Sequence, residues 1–234
     1  VEDPGSPIYL DENIISQPAA ALQLVAKEIF RMSDQVRDIL EKTIELVKNE
    51  EVKSIDGLKE NGEQVERLGK CITEYLAALF SSGSLTEQQA AQTASLMCVL
   101  SDVERMGTLS VEMAECMLER SDRKYKYTPE AMDELQKSLK VLNKMFCDSL
   151  KALQGDDGIE PGKMTKRKDK LLDLDIKMRK AHIERVNKGK CKASLTAPFT
   201  NILHLIDRMG NSCINLADVA ESGTSMKYFM LEEK

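Results

Sequence analysis

Residues 100–115 read LSDVERMGTLSVEMAE and residues 203–218 read LHLIDRMGNSCINLAD, so one helical pattern occurs twice in the chain. Leu, Arg, Met, Gly and Ala coincide in register, with Val/Ile, Glu/Asp and Met/Leu as conservative exchanges. Val99, Val103, Met106, Ser110, Met113 and Met117 match Ile202, Ile206, Met209, Cys213, Leu216 and Ala220 at an offset of 103 residues. Steps of four and three define a helix face that packs on another helix. An internal repeat of this kind fixes the architecture before any single residue is weighed.

Six helices follow from the period of the apolar residues. They are expected at about 17–48, 55–81, 84–120, 128–153, 163–187 and 196–221. Ser16 and Pro18 fit the start of the first, whose seam is Leu22, Val25, Ile29, Met32, Val36, Ile39 and Leu46. Ser84-x-x-Glu87 has the form of a capping box for the third. Thr128-Pro129 opens the fourth, and Gly189 supplies the left-handed residue that closes the fifth. With the repeat in the third and sixth helices, the chain reads as all-α: two tandem three-helix bundles related by a pseudo-twofold axis. The units are 17–122 and 123–222, with 1–16 as a linker from something upstream and 223–234 as a tail. The recurring mid-helix glycines, Gly107 and Gly210, each cost about 1 kcal/mol relative to Ala and so point to close helix approach.

Composition agrees. Aromatic residues make up 4% of the 234 residues and Trp is absent, which disfavours strands. A net charge of −6 gives no general attraction for a phosphate backbone, so nucleic acid is not the expected partner. The basic stretch Lys163–Lys170 and the bases after it could lie against an anionic membrane, although a solvated helix face accounts for them more simply. Six separated cysteines without a C-x-x-C pair read as buried free thiols. No apolar run is long enough to span a bilayer. No nucleophile elbow, P-loop or H-E-x-x-H motif is present, so an enzyme is not expected. His182 and His204 read as surface or boundary histidines.

Glu104-Arg105-Met106-Gly107 and Asp207-Arg208-Met209-Gly210, with Asn215-Leu216-Ala217 after the second, resemble the signature that PhoU proteins carry twice. The opening Tyr9-Leu10-Asp11-Glu12 and the run Arg179–Arg185 narrow the resemblance to the PhoU-like domain of bacterial sodium/phosphate cotransporters. That resemblance implies a regulatory domain at the cytoplasmic face of the inner membrane, coupling phosphate status to uptake. Its implied partners are the transmembrane transport domain of the same polypeptide and, in a homodimer, a second copy. A free-standing phosphate-signalling regulator and a carboxylate metal-binding helical protein are the alternatives. Arg105, Gly107, Arg208 and Gly210 become interaction residues.

In PhoU proteins acids spaced one turn apart hold an iron or zinc cluster, which makes Glu104, Asp207, Asp169 and Asp173 the candidate metal ligands here. Thr108 and Asn211 stand where two further acids would be, so half of the anionic donors on the repeated helices are missing. Helix-surface salt bridges of Asp102, Glu104 and Asp207 with Arg105, Arg208 or other bases are the competing assignment, and carry more weight.

Overall fold

A computed structural model describes residues 2–49, 52–121, 124–156 and 162–222. The expected tail 223–234 and most of the stretch GDDGIEPG (155–162) between the fourth and fifth helices lie outside them. Among the described residues there are six α-helices and no strand: α1 (Pro18–Lys48), α2 (Asp56–Ser81), α3 (Glu87–Ser121), α4 (Pro129–Leu153), α5 (Lys163–Asn187) and α6 (Thr196–Glu221). No helix is long and apolar enough to cross a membrane among those residues.

The starts and stops have local causes. Thr128 caps α4 by accepting from the Ala131 amide at 3.2 Å, and Gly189 takes φ +70° just past α5. Two expected caps fall elsewhere. Gln17, not Ser16, precedes α1, because Asp11 nucleates a short 3-10 turn at Glu12–Ile14 that uses up the intervening residues. The capping box of α3 is Thr86-x-x-Gln89: Thr86 Oγ1 accepts from the Gln89 amide at 3.1 Å, and Gln89 Oε1 accepts from the Thr86 amide at 3.0 Å. Ser84 is instead drawn into the preceding turn by the Ser82 hydroxyl at 2.9 Å.

Within residues 18–121, α1 and α3 run alongside each other in the same direction. Thr43 donates to the Ser110 carbonyl, and further along Arg120 donates to the Asn49 carbonyl. The α2 helix returns antiparallel, with Gly62, Val65 and Gly69 against Val111, Gly107 and Glu104. Residues 129–221 repeat this arrangement. Arg167 and Arg185 of α5 reach Asp148 and Glu134 of α4, and Lys168 reaches Asp207 of α6. The core runs continuously through both sets of helices.

The repeated helices α3 and α6 cross antiparallel. Asn215 Nδ2 donates to Asp102 Oδ1 at 3.2 Å, Ser110 Oγ to Met209 Sδ at 3.7 Å, and Asn201 Nδ2 to Cys116 Sγ at 3.4 Å. Residue numbers in these pairs run in opposition about Gly107 and Gly210, which places the repeated glycines near the centre of the crossing. Their α-carbons nevertheless face other helices: a Cβ on Gly107 would lie 3.4 Å from Val36, and one on Gly210 2.9 Å from Leu171. A side chain at position 107 would thus make ordinary contact with α1, and the close approach expected at both glycines is found at Gly210 alone, against α5.

Two residue-level expectations change. His182 is buried at 2% exposure, because it falls on the inner face of α5 where it stacks on Phe199 with ring centroids 4.8 Å apart. The thiols are free, yet Cys191 and Cys213 alone are buried; Cys98 is exposed and the other three are intermediate. Hydrophobic neighbours in sequence are a poor guide on a helix, where adjacent residues point about 100° apart.

Candidate functional site

Each repeated helix carries its acid at a corresponding place, and the two surroundings differ. Glu104 of α3 is half-buried against α2, its carboxylate lying over Gly69. A Cβ at position 69 would come within 1.7 Å of Glu104 Oε1, so glycine is what admits the carboxylate to this position. With Glu63, Glu66, Arg67, Lys70, Thr73 and Glu74 it borders an open depression of about 830 Å³. Burial pushes the Glu104 carboxyl above its ordinary value, and the nearby Glu66 charge adds to the shift. Glu104 forms no hydrogen bond or ion pair with another described residue.

Asp207 of α6 occupies the matching place in the second half. Lys168 Nζ donates to its Oδ1 at 2.7 Å and contacts its main-chain carbonyl at 3.3 Å. Counting back 103 residues from Lys168 gives Val65, which is buried and packs beside Gly107. One half thus presents a carboxylate with no cation of its own, and the other supplies that cation from the chain.

Of the other ligands proposed from sequence, Asp169 and Asp173 are exposed on α5. Among the described residues no three His, Cys, Asp or Glu side chains gather at metal-ligand spacing. The donor set therefore does not fit an iron or zinc cluster of several ions, since Lys168 occupies the second acid site and the first offers Glu104 and Glu66. The salt bridges expected from sequence form in part: Arg105 reaches Asp102 at 3.7 Å, while Asp207 selects Lys168 in place of Arg208.

Arg105 and Arg208 are exposed, and Gly107 and Gly210 are buried beside them. Asn215 reaches across the α3–α6 crossing to Asp102, whose carboxyl is raised by burial, with the Asn215 hydrogen bond and the Arg105 charge opposing the shift. Lys168 and Gly69 escaped the sequence reading. Extending the offset of 103 residues from α3/α6 to α2/α5 would have revealed the Val65/Lys168 exchange.

A duplicated up-down-up helical frame carries two unlike faces, α2–α3 and α5–α6. The fold is that of the crystal structure of PhoU from Pseudomonas aeruginosa, with a TM-score of 0.76 and 13% identity over 84% of this chain and 93% of that one. The PhoU domain family matches residues 29–117. Across 209 residues the chain is 24% identical to the phosphate-specific transport system accessory protein PhoU homolog 1 of Thermotoga maritima, covering 88% of each. The chain is therefore similar to PhoU proteins in sequence over these spans and shares their fold.

Proposed function

We propose that this chain regulates phosphate transport by binding, restraining uptake when phosphate is plentiful, as a PhoU-like accessory protein. The observation that carries the reading is the duplicated α3–α6 pair, in which Arg105 and Arg208 are presented to solvent and Asn215 locks the crossing through Asp102. The similarity to a relative named as a transport-system accessory protein, extending over most of both chains, supports a regulator that acts on a separate transport system. A domain joined to a sodium/phosphate cotransporter is the narrower variant of the same reading. Its support is the opening Tyr9–Glu12 and the run Arg179–Arg185.

The test is expression in a bacterium lacking its own PhoU, with uptake of labelled phosphate measured in phosphate-rich and phosphate-poor medium. The expected result is lower uptake in rich medium, lost on replacing Arg105 and Arg208 together by Glu. Unchanged uptake in rich medium with the protein folded and expressed would reject the regulatory role. Co-purification with a separate transporter supports the accessory form, whereas restraint only of a transporter fused to the chain supports the cotransporter form.

A further inference from the structure

The cations of α5 fall into two groups. Those turned toward the bundle each have an acid: Arg167 pairs with Asp148, Lys168 with Asp207 and Arg185 with Glu134, while Arg179 pairs with Asp175 on its own helix. Those on the outer face, Lys166, Lys170, Lys177, Lys180 and Lys188, are exposed and form no ion pair with another described residue. Three acids share that face: Asp169, Asp173 and Glu184. Between Lys163 and Lys192 there are twelve Lys and Arg against four Asp and Glu, in a chain whose net charge is −6. The positive charge is therefore local and strong.

A second feature accompanies the charge. Leu172, Ile176 and Ile183 are 50%, 56% and 57% exposed. Steps of four and seven put them on one line of the helix, about 17 Å long at 1.5 Å per residue. Lys166, Lys170, Lys177 and Lys188 follow the same spacing on the other flank of the outer face, roughly 130° round the helix, with Asp169, Asp173 and Glu184 between the two rows. Among the described residues α5 packs on α4 and α6, and no other helix covers this face. The corresponding face of α2 is a natural control. Counting back 103 residues, Gly69 and Thr73 replace Leu172 and Ile176, while Glu63 and Glu74 replace Lys166 and Lys177. The counterparts of Ile183 and Lys170 are the exposed Phe80 and Arg67, so α2 keeps one apolar and one basic position but has neither the full apolar line nor the lysine row.

The geometry points to the outer face of α5 as a docking surface for an anionic lipid bilayer. The aliphatic line enters the headgroup boundary on one flank, and the flexible lysine stems of the other flank carry their ammonium groups to lipid phosphates. A convex single-helix ridge suits a flat anionic surface. A free phosphate ion would use the lysines and leave the aliphatic line without a role. This surface goes beyond the regulatory reading and stands whether or not phosphate is the signal.

Vesicle flotation tests it, using phosphatidylcholine with and without phosphatidylglycerol. The whole chain should float with the anionic vesicles at low salt, remain behind with phosphatidylcholine alone, and be released at high salt. Lys170→Glu with Lys177→Glu should weaken binding at least about thirtyfold, since each lysine near an anionic surface contributes about 1 kcal/mol and the new acids add repulsion. Ile176→Ser with Ile183→Ser should weaken it several-fold more than Thr73→Ser with Phe80→Ser at the corresponding positions of α2, and an unchanged melting temperature shows that either variant is folded. No flotation at low salt, or flotation indifferent to the lysine reversals, overturns the proposal. So does binding to soluble polyglutamate that equals vesicle binding and ignores the isoleucine changes, which would assign the face to an acidic polypeptide. The phosphate-uptake assay reads none of these outcomes, so the two ideas fail separately.

Discussion

Lys168 Nζ lies 2.7 Å from Asp207 Oδ1, at the place where the first half of the chain sets the apolar Val65 near Glu104. The duplication has kept both acids and has altered what stands beside them. Lys168 is 22% exposed and Asp207 45%, so their attraction is partly screened. A double-mutant cycle of Lys168→Met and Asp207→Asn should give a coupling of about 0.5–1 kcal/mol, shrinking as salt is added. Urea denaturation of the four proteins measures it; a coupling of zero at low salt would mean that the ion pair contributes nothing to folding.

Gly69 and Glu104 should be coupled in the opposite sense. In the presence of Glu104, Gly69→Ala must drive the carboxylate away, because the added Cβ would sit 1.7 Å from Oε1. The acid is at the end of a flexible side chain, so the fold survives. In a Glu104→Ala background the same change should stabilise by the full helix-propensity difference, about 1 kcal/mol. A smaller gain in the parent, seen in denaturant melts, is the expected result.

The titration of Glu104 carries its own signature. Its carboxyl is raised by burial and then by Glu66, so the folded chain holds that proton more tightly than the unfolded chain does. The resulting stability is present below the unfolded value, near 4.5, and is lost as pH rises through the folded value. Glu104→Gln should therefore be more stable than the parent at pH 7, by a few tenths of a kcal/mol after solvent screening, with the difference closing below about pH 4.5. Melts at the two pH values decide it.

The helices were legible because apolar spacing and the repeat speak for the same bundle, and the start at Thr128 and the stop at Gly189 needed only local chemistry. Thr86 could not be chosen over Ser84 from sequence, since both lie three residues before a Glu or Gln and the winner depends on where Ser82 turns. His182 looked superficial among bases, yet its counterpart 103 residues earlier is the fully buried Leu79. The site was less legible than the fold. Glu104 and Asp207 announce themselves as a repeated acid, whereas the exchange of Val65 for Lys168 becomes meaningful only when α2 and α5 are laid against them.

His182 should make stability fall in mild acid. Burial lowers its pKa and the Arg185 charge lowers it further, while Nε2 pairs with Thr196 Oγ1 at 2.9 Å. The folded chain thus holds the ring neutral, and the stability this provides is complete above about 6.5 and is lost as pH falls toward the folded value. His182→Phe keeps a ring against Phe199 and should flatten that slope, at a cost of about 1 kcal/mol for the hydroxyl left without its partner. Denaturant melts between pH 5 and 8 would show parallel curves for the two proteins if His182 were not responsible.

Glu28 is fully buried and holds the segment before α1 in place. Its Oε1 accepts from the Ile8 and Tyr9 amides at 2.6 and 2.8 Å, and its Oε2 accepts from Arg31 Nε at 2.7 Å. Arg31 in turn donates to the Ser6 carbonyl at 2.6 Å, so one carboxylate organises both ends of this contact. A carboxamide at position 28 has a single acceptor oxygen and must point its amino group either at two backbone donors or at a guanidinium. Glu28→Gln should accordingly cost about 2–4 kcal/mol, far more than loss of an exposed ion pair. Hydrogen exchange at the Ile8 and Tyr9 amides should accelerate more than exchange in the α3–α6 core. Equal acceleration in both places would show that Glu28 supports the whole bundle and has no special hold on the segment it binds.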